Sequence, residues 1–185
     1  YNGVKIAKLK SSEFVEMPEV VRIDTLFGAE RLMPCNIAAM TESNRSYIEA
    51  LADTAIERVR HYYEEYKDKA DIVWCSFSGG KDSMVLLDIV QRALPHSAFK
   101  VFFTDTRMEF PDTYSYVATI QKWCAERQIE FVVCQSEKLP EETWKEFGPP
   151  ASGIRWCCSV HKSAPHILKG REITGNVNMR AFSFI

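Results

Sequence analysis

Six consecutive residues, Ser78-Gly79-Gly80-Lys81-Asp82-Ser83, bring together two hydroxyls, two glycines, a cation and a carboxylate. They follow a short apolar run, Asp71 to Phe77, and precede Met84-Val85-Leu86-Leu87-Asp88-Ile89-Val90, which reads as a helix ending near Leu94-Pro95. A strand-to-helix turn of this composition suits phosphate. The glycines let the backbone turn and let a ligand approach amides that a Cβ would shield. The first turn of the following helix leaves N–H groups without intrahelical partners, and the helix dipole adds positive potential there. Phosphate oxygens fit that position. Ser78 and Ser83 can donate hydroxyl hydrogen bonds; Lys81 can neutralise charge, or Asp82 can fold back to brace the loop. The spacing is not the Walker pattern, which ends in Gly-Lys-Ser/Thr. Here Asp82 follows Gly80-Lys81, and Cys75 stands where the first Gly belongs. A glycine-bearing turn without chemistry is the bland alternative, and the complete hexad in this setting outweighs it.

A second chemical group closes the next apolar run. Lys100-Val101-Phe102-Phe103-Thr104 ends in Asp105-Thr106. Asp105 can bind a sugar or hold Mg²⁺ through water, since hard cations on phosphates favour carboxylate partners. Capping is the alternative for both residues. Glu109 is either a site carboxylate or a solvated side chain.

Of six cysteines, Cys75, Cys124 and Cys134 sit in apolar runs and read as core residues, while Cys35 carries no signal. Cys157-Cys158 differ. A vicinal pair rarely bridges itself, and with His161 nearby the two thiols read as metal ligands for iron–sulfur or zinc, or as half-buried thiols near a helix start. Arg155, His161, Lys162, Lys169 and Arg171 form a basic stretch that either grips phosphates or is a solvated helix face. Trp156 either covers a ligand or packs in the core.

These groups need elements to hold them. From Ser43 to about Lys67 apolar and aromatic residues recur at spacings of three and four, a helix with Thr41 or Ser43 as N-cap. Strands are expected at 71–77, 100–104, 130–134 and 181–185. Pro111 opens a helix running to about Arg127. This alternation predicts an α/β domain: an open, mostly parallel sheet with helices on both faces. In such sheets ligands bind beyond the carboxyl ends of the strands, so the 78–83 and 105–111 loops reach one site. Residues 1–40, broken by Pro18 and Pro34, read as an extension or short hairpin on a domain spanning 41–185.

At 185 residues the chain holds one domain with a real core. Its net charge of −2 advertises no long nucleic-acid surface. No apolar run approaches the ~20 residues that span a bilayer. Free cysteines without a secretory segment point to a reducing, cytoplasmic setting. The chain begins at Tyr1 and stops in an expected strand, so further residues are expected beyond Ile185.

The hexad resembles the PP-loop of the adenine nucleotide alpha hydrolase superfamily, whose fold is Rossmann-like. Phe103-Thr104-Asp105-Thr106, Glu109-Phe110-Pro111-Asp112-Thr113-Tyr114, Gly148-Pro149-Pro150 and Arg155-Trp156-Cys157-Cys158 with Lys162 and Pro165 resemble, within it, the phosphoadenosine phosphosulfate (PAPS) reductase family. The resemblance covers about residues 70–170. It implies a loop that holds the pyrophosphate of ATP or the sulfate end of adenylyl sulfate (APS) or PAPS, with Mg²⁺. It implies Ser76, Phe77, Ser78, Gly79, Gly80, Lys81, Asp82, Ser83, Thr104, Asp105, Thr106 and Arg155 as nucleotide contacts, Lys81 and Asp105 as catalytic groups. It also implies Cys157 and Cys158 as ligands of a [4Fe-4S] cluster, completed by two later cysteines or by His161. Three functions follow from it. One is an ATP pyrophosphatase activating an acceptor, such as a tRNA base or DNA backbone, for sulfur transfer. Its sulfur comes from a cysteine desulfurase or thiol carrier, and relatives act in DNA phosphorothioation. The second is an APS/PAPS reductase, whose usual C-terminal nucleophilic cysteine is not in this sequence. The third is a nucleotide-binding subunit without turnover. Arg107 departs from the family, which usually has Gly there, and no Gly-x-Arg stretch follows the last strand.

Overall fold

The computed structural model describes residues 7–10, 19–22 and 36–185 of the chain. Two units divide it, residues 1–45 and 46–185. In the first, strands β1 (Ala7–Lys10) and β2 (Glu19–Arg22) pair antiparallel with Ala7 opposite Arg22. Pro18, Pro34 and Cys35 lie outside the described residues. A short helix, α1 (Ile37–Ser43), precedes the expected helix, which begins at Arg45. Asn36 is its N-cap, its side chain accepting the Ala39 N–H at 3.0 Å. Thr41 and Ser43 therefore cap nothing. Their hydroxyls donate back to the carbonyls of Ile37 and Met40, as such residues do inside helices.

The second unit contains the sheet. It runs α2 (Arg45–Tyr66), β3 (Ile72–Phe77), α3 (Lys81–Ala93), β4 (Lys100–Asp105), α4 (Pro111–Glu126) and β5 (Glu130–Gln135). There follow α5 (Pro140–Phe147), the single turn α6 (Trp156–Cys158), a π-helical turn at Ser159–Ser163, α7 (Ala164–Thr174) and β6 (Ala181–Phe184). Four strands pair in the order β5-β4-β3-β6, every pairing parallel. The expected open parallel α/β sheet is thus present, with its strands within a residue of where their apolar runs placed them.

Strand period two sorts the core into two layers. Cys75, Phe77, Val101, Phe103 and Phe184 face α2, α3 and α4, packing on Val59, Leu87, Val90, Val117, Ile120 and Cys124. On the other face Ile72, Trp74, Phe102, Val132 and Cys134 form a smaller cluster with Met179. Trp74 stacks on Phe102 at 4.8 Å between ring centroids. Gly170 of α7 comes close to this layer: a Cβ there would lie 3.1 Å from Trp74 Cζ3. The sheet is therefore covered on both faces, as continuous apolar strands require. Arg60 of α2 donates to the carbonyls of Arg92 and Ala93 and so satisfies the end of α3.

The connectivity fixes where a ligand can sit. The chain steps from β3 to β4 to β5, then returns to place β6 on the far side of β3. Strand order reverses at β3, and the crevice beyond its carboxyl end is the preferred ligand position of open α/β sheets.

Candidate nucleotide site

Beyond that end lies a cavity of about 680 Å³, within the range that takes a small-molecule ligand or cofactor. Its floor is the second face of the sheet. Trp74 and Ser76 come from β3, Thr104 from β4 and Ser183 from β6. Ser76 and Ser183 approach each other across the strands at 3.4 Å between hydroxyl oxygens. Small side chains at these two positions leave room where larger ones would fill the layer. The phosphate loop supplies Ser78, Asp82 and Ser83, and Glu109 reaches in from the loop after β4. The π turn and α7 close the other side with Lys162, Ser163, His166 and Ile167. Positions 162, 163, 166 and 167 share one helical face.

Inside the loop, Ser83 is the brace, a part the sequence left open to Asp82. Its hydroxyl donates to the Gly80 carbonyl at 2.8 Å and accepts from the Ser78 N–H and the Ser78 hydroxyl. Asp82 is left facing the cavity. Only Gly79 needs glycine for its backbone, with φ at +78° and an added Cβ 3.1 Å from Thr113 Cγ2. Gly80 has φ −87° and ψ 164°, which any residue adopts, and its Cβ would meet nothing nearer than Ser78 Oγ at 3.5 Å. As the N-cap of α3 it offers no side-chain hydrogen bond, so the first-turn N–H groups have no side-chain cap.

Asp105 is held from three directions. The Tyr114 hydroxyl and the Arg107 N–H donate to Oδ1, at 2.7 and 2.8 Å, and Gln135 Nε2 donates to Oδ2. Partial burial pushes its carboxyl up, but these donors outweigh that and hold it below the usual carboxylate range. Thr106 is buried and donates to Glu109 Oε1 at 2.8 Å, setting that carboxylate at the cavity edge. Of the sequence candidates, Ser76, Phe77, Ser78, Asp82, Ser83 and Thr104 line the cavity. Gly79, Gly80, Lys81, Asp105, Thr106 and Arg155 are outside its lining; Lys81 opens α3 on the exposed side of the loop, and Arg155 is exposed as the residue before α6. Trp74, Leu86, Ser163, His166, Ile167, Ser183 and Ile185 line it without having been singled out. Serines interrupting otherwise apolar strands, at 76 and 183, were the one available signal.

Cys157 and Cys158 are half-buried in α6. The third ligand expected beside them is occupied elsewhere. Thr143 donates to the Pro140 carbonyl at 2.9 Å, so its oxygen accepts from His161 Nε2, also at 2.9 Å. His161 is thus buried and engaged through Nε2. Among the described residues no group of three or more His, Cys, Asp or Glu could hold a metal ion. A four-iron cluster takes four thiolates, so the described residues do not fit one. Trp156 neither covers the cavity nor joins the core: it donates to the Gly148 carbonyl at 3.2 Å and packs on Phe147.

Burial pushes the imidazoles of His161 and His166 down, and for His161 the nearby Arg107 adds to this. Both are neutral at pH 7. The unfolded chain then binds more protons than the folded one as pH falls below the ordinary histidine value of about 6.5, so stability rises with pH through that window. The thermal unfolding midpoint is expected to drop by several degrees between pH 7.5 and 5.5. An unchanged midpoint would show that neither ring resists protonation.

Among the described residues no helix is long and apolar enough to cross a membrane. Residues 72–177 match the phosphoadenosine phosphosulfate reductase domain family. An uncharacterised protein of Methanocaldococcus jannaschii (MJ0973) is 31% identical over 89% of this chain and 38% of its own length. An adenosine 5'-phosphosulfate reductase of Bacillus mycoides is 34% identical over 56% of the chain and 42% of its own length. The chain thus spans less than half the length of these relatives. Among solved structures, the NH3-dependent NAD synthetase of Campylobacter jejuni superposes with a TM-score of 0.51 at 12% identity, over 68% of this chain and 52% of that one. That likeness concerns the fold alone. With a matching domain over more than half its length, and with the phosphate loop, parallel sheet and cavity in place, the chain belongs to the phosphoadenosine phosphosulfate reductase domain family.

Proposed function

We propose that this chain forms the nucleotide site of a cytoplasmic enzyme that binds ATP with Mg²⁺ and activates an acceptor for sulfur transfer. The observation that carries the proposal is the pairing of a phosphate loop with two carboxylates, Asp82 and Glu109, in one cavity. Carboxylates beside an anion repel it unless a cation lies between them, and oxygen donors next to phosphates suit Mg²⁺. Bound there, Mg²⁺ supplies charge neutralisation on the phosphates. An acceptor oxygen attacks the α-phosphorus, the bond to the bridging oxygen breaks, and pyrophosphate leaves with the electron pair. The loop N–H groups and Lys81 stabilise that leaving charge. The terminal sulfur of a persulfide, delivered by a cysteine desulfurase or thiol carrier, then displaces AMP from the acceptor, which we take to be a nucleic acid. A second thiol of the carrier reduces the resulting acceptor–S–S–carrier bond, releasing the thiolated acceptor and leaving the carrier as a disulfide. Asp105, held ionised by its three donors, ties the loop after β4 to α4 and β5 beside the site, and exposed Arg155 is where the acceptor approaches.

The reductases among the relatives favour a second reading, in which APS or PAPS occupies the same cavity. Competition separates the two. Labelled ATP with Mg²⁺, bound to anaerobically prepared protein, should resist displacement by APS and PAPS at equal concentration. Displacement by either sulfate at far lower concentration would overturn ATP as the ligand and leave the reductase reading. Tight ATP binding without pyrophosphate release, with donor and acceptor supplied, would reduce the chain to a binding subunit.

A further inference from the structure

Just before α7 the helix widens. Pro165 has no N–H to give the His161 carbonyl, and its ring crowds that oxygen, so an α-helical turn cannot run unbroken through 161–165. The Ala164 N–H donates instead to the Ser159 carbonyl, five residues back, and closes the π turn. Such turns are rare and frequently mark functional sites. This one carries two residues of the cavity wall, Lys162 and Ser163. Among the described residues that line the cavity, Lys162 is the one cation, and it shares that space with Ser78 and Ser83 of the phosphate loop.

Where the helical register changes, α7 alone does not fix the direction in which residues 162 and 163 point. The fixed point is the residue before them. His161 is 1% exposed and Thr143 of α5 is fully buried, and His161 Nε2 lies 2.9 Å from Thr143 Oγ1. The polarity of this bond follows from the other contacts of the hydroxyl. It lies 2.9 Å from the Pro140 carbonyl and 3.4 Å from that of Leu139, and both can only accept. Its proton is committed there, so its oxygen accepts the His161 N–H. This bond pins the ring, and with it the backbone of the π turn, to α5. We propose that His161 is a positioning residue: pinned to Thr143, it holds the π turn in the orientation that brings the Lys162 ammonium to the phosphates of the bound nucleotide. The inference rests on the nucleotide reading above and adds to it a cation from outside the phosphate loop, with the buried pair that aims it.

The probe is ATP with Mg²⁺, its dissociation constant measured by calorimetry beside a thermal melt of each variant. Lys162→Ala should weaken binding about tenfold or more, the loss of one charge-assisted contact. His161→Phe keeps a buried aromatic ring, removes the N–H and leaves the Thr143 proton on Pro140. It should also weaken binding about tenfold. In a Lys162→Ala chain the same change should cost less than about twofold, because the residue it positions is gone. His161→Gln, which offers an amide N–H to Thr143, should restore most of the affinity. Thr143→Val breaks the bond from the other side, should repeat the loss, and carries the test if His161→Phe does not fold. A lower melting temperature with an unchanged dissociation constant would make His161 a packing residue only and overturn the proposal. So would additive effects of Lys162→Ala and His161→Phe, or a glutamine variant as weak as the phenylalanine one. A Lys162→Ala chain that binds as tightly as the unaltered one would remove this cation from the phosphates, and the proposal with it. Failure of the unaltered chain to bind nucleotide would remove the nucleotide reading itself, and this inference as well.

Discussion

Gly80→Val is expected to abolish nucleotide binding while the protein unfolds at nearly its usual temperature. Gly80 already has the extended backbone that valine prefers, and the nearest atom to its Cβ is Ser78 Oγ at 3.5 Å. The fold has no reason to resist the change beyond the modest loss of a glycine N-cap, roughly 1 kcal/mol. The ligand does. A branched side chain at the N-cap covers the uncapped N–H groups of α3, the donors proposed for the phosphates. Hydrogen bonds to charged groups contribute about 1.5–3 kcal/mol each, so losing two weakens binding at least about a hundredfold. Titration with Mg²⁺–ATP, beside a thermal melt, reads both halves. Retained affinity would mean that phosphates do not lie on this turn.

Its neighbour should behave in the opposite way. Gly79→Val is expected to destabilise the fold by roughly 2–4 kcal/mol, the sum of a strained backbone and a steric clash. At φ +78° a β-branched residue is far from any comfortable conformation. The new Cβ would also press on Thr113 Cγ2 at 3.1 Å and touch Val117 Cγ2 at 3.5 Å, both on α4. Thr113 and Val117 sit on a helix packed into the larger core layer, so they have little freedom to move aside. Denaturant unfolding of Gly79→Val and Gly80→Val, measured side by side, gives the contrast. Equal stability in the two would contradict the division of labour between the glycines.

That division was not visible in the sequence, where the two glycines look alike. The hexad announced a phosphate loop because its residue types act locally: amides, hydroxyls and a helix start lie within six positions of one another. Which glycine bends the chain and which admits the ligand depends on α4, thirty residues away in sequence. Arg107 shows the same split. Its departure from the family's glycine is plain in the sequence, and the structure gives glycine's advantage there: φ is +59°, the left-handed region that glycine enters without strain. Here the strained turn is supported by its own contacts, since the Arg107 N–H donates to Asp105 and the guanidinium to Gln135 Oε1 at 3.3 Å. Asp105 was read as a ligand carboxylate from its place at a strand end, and three donors now surround it. Strand-end position is a sequence property; two of the donors come from α4 and β5, and the third is the Arg107 N–H of its own loop.

The α/β class, the parallel strands, the strand-to-helix loop at 78–83 and the buried fate of Cys75, Cys124 and Cys134 were legible in the chain alone. Each follows from patterns over a few residues: apolar runs too continuous for a one-faced strand, a helix start after glycines, thiols inside apolar runs. Long-range packing set the cavity on the Trp74 face, gave it room at Ser76 and Ser183, tied His161 to Thr143 and left a nitrogen of His166 unpaired. Those outcomes depend on β6 and α7 returning to β3 after more than eighty residues, and local patterns carry no record of which side chains meet across such a distance.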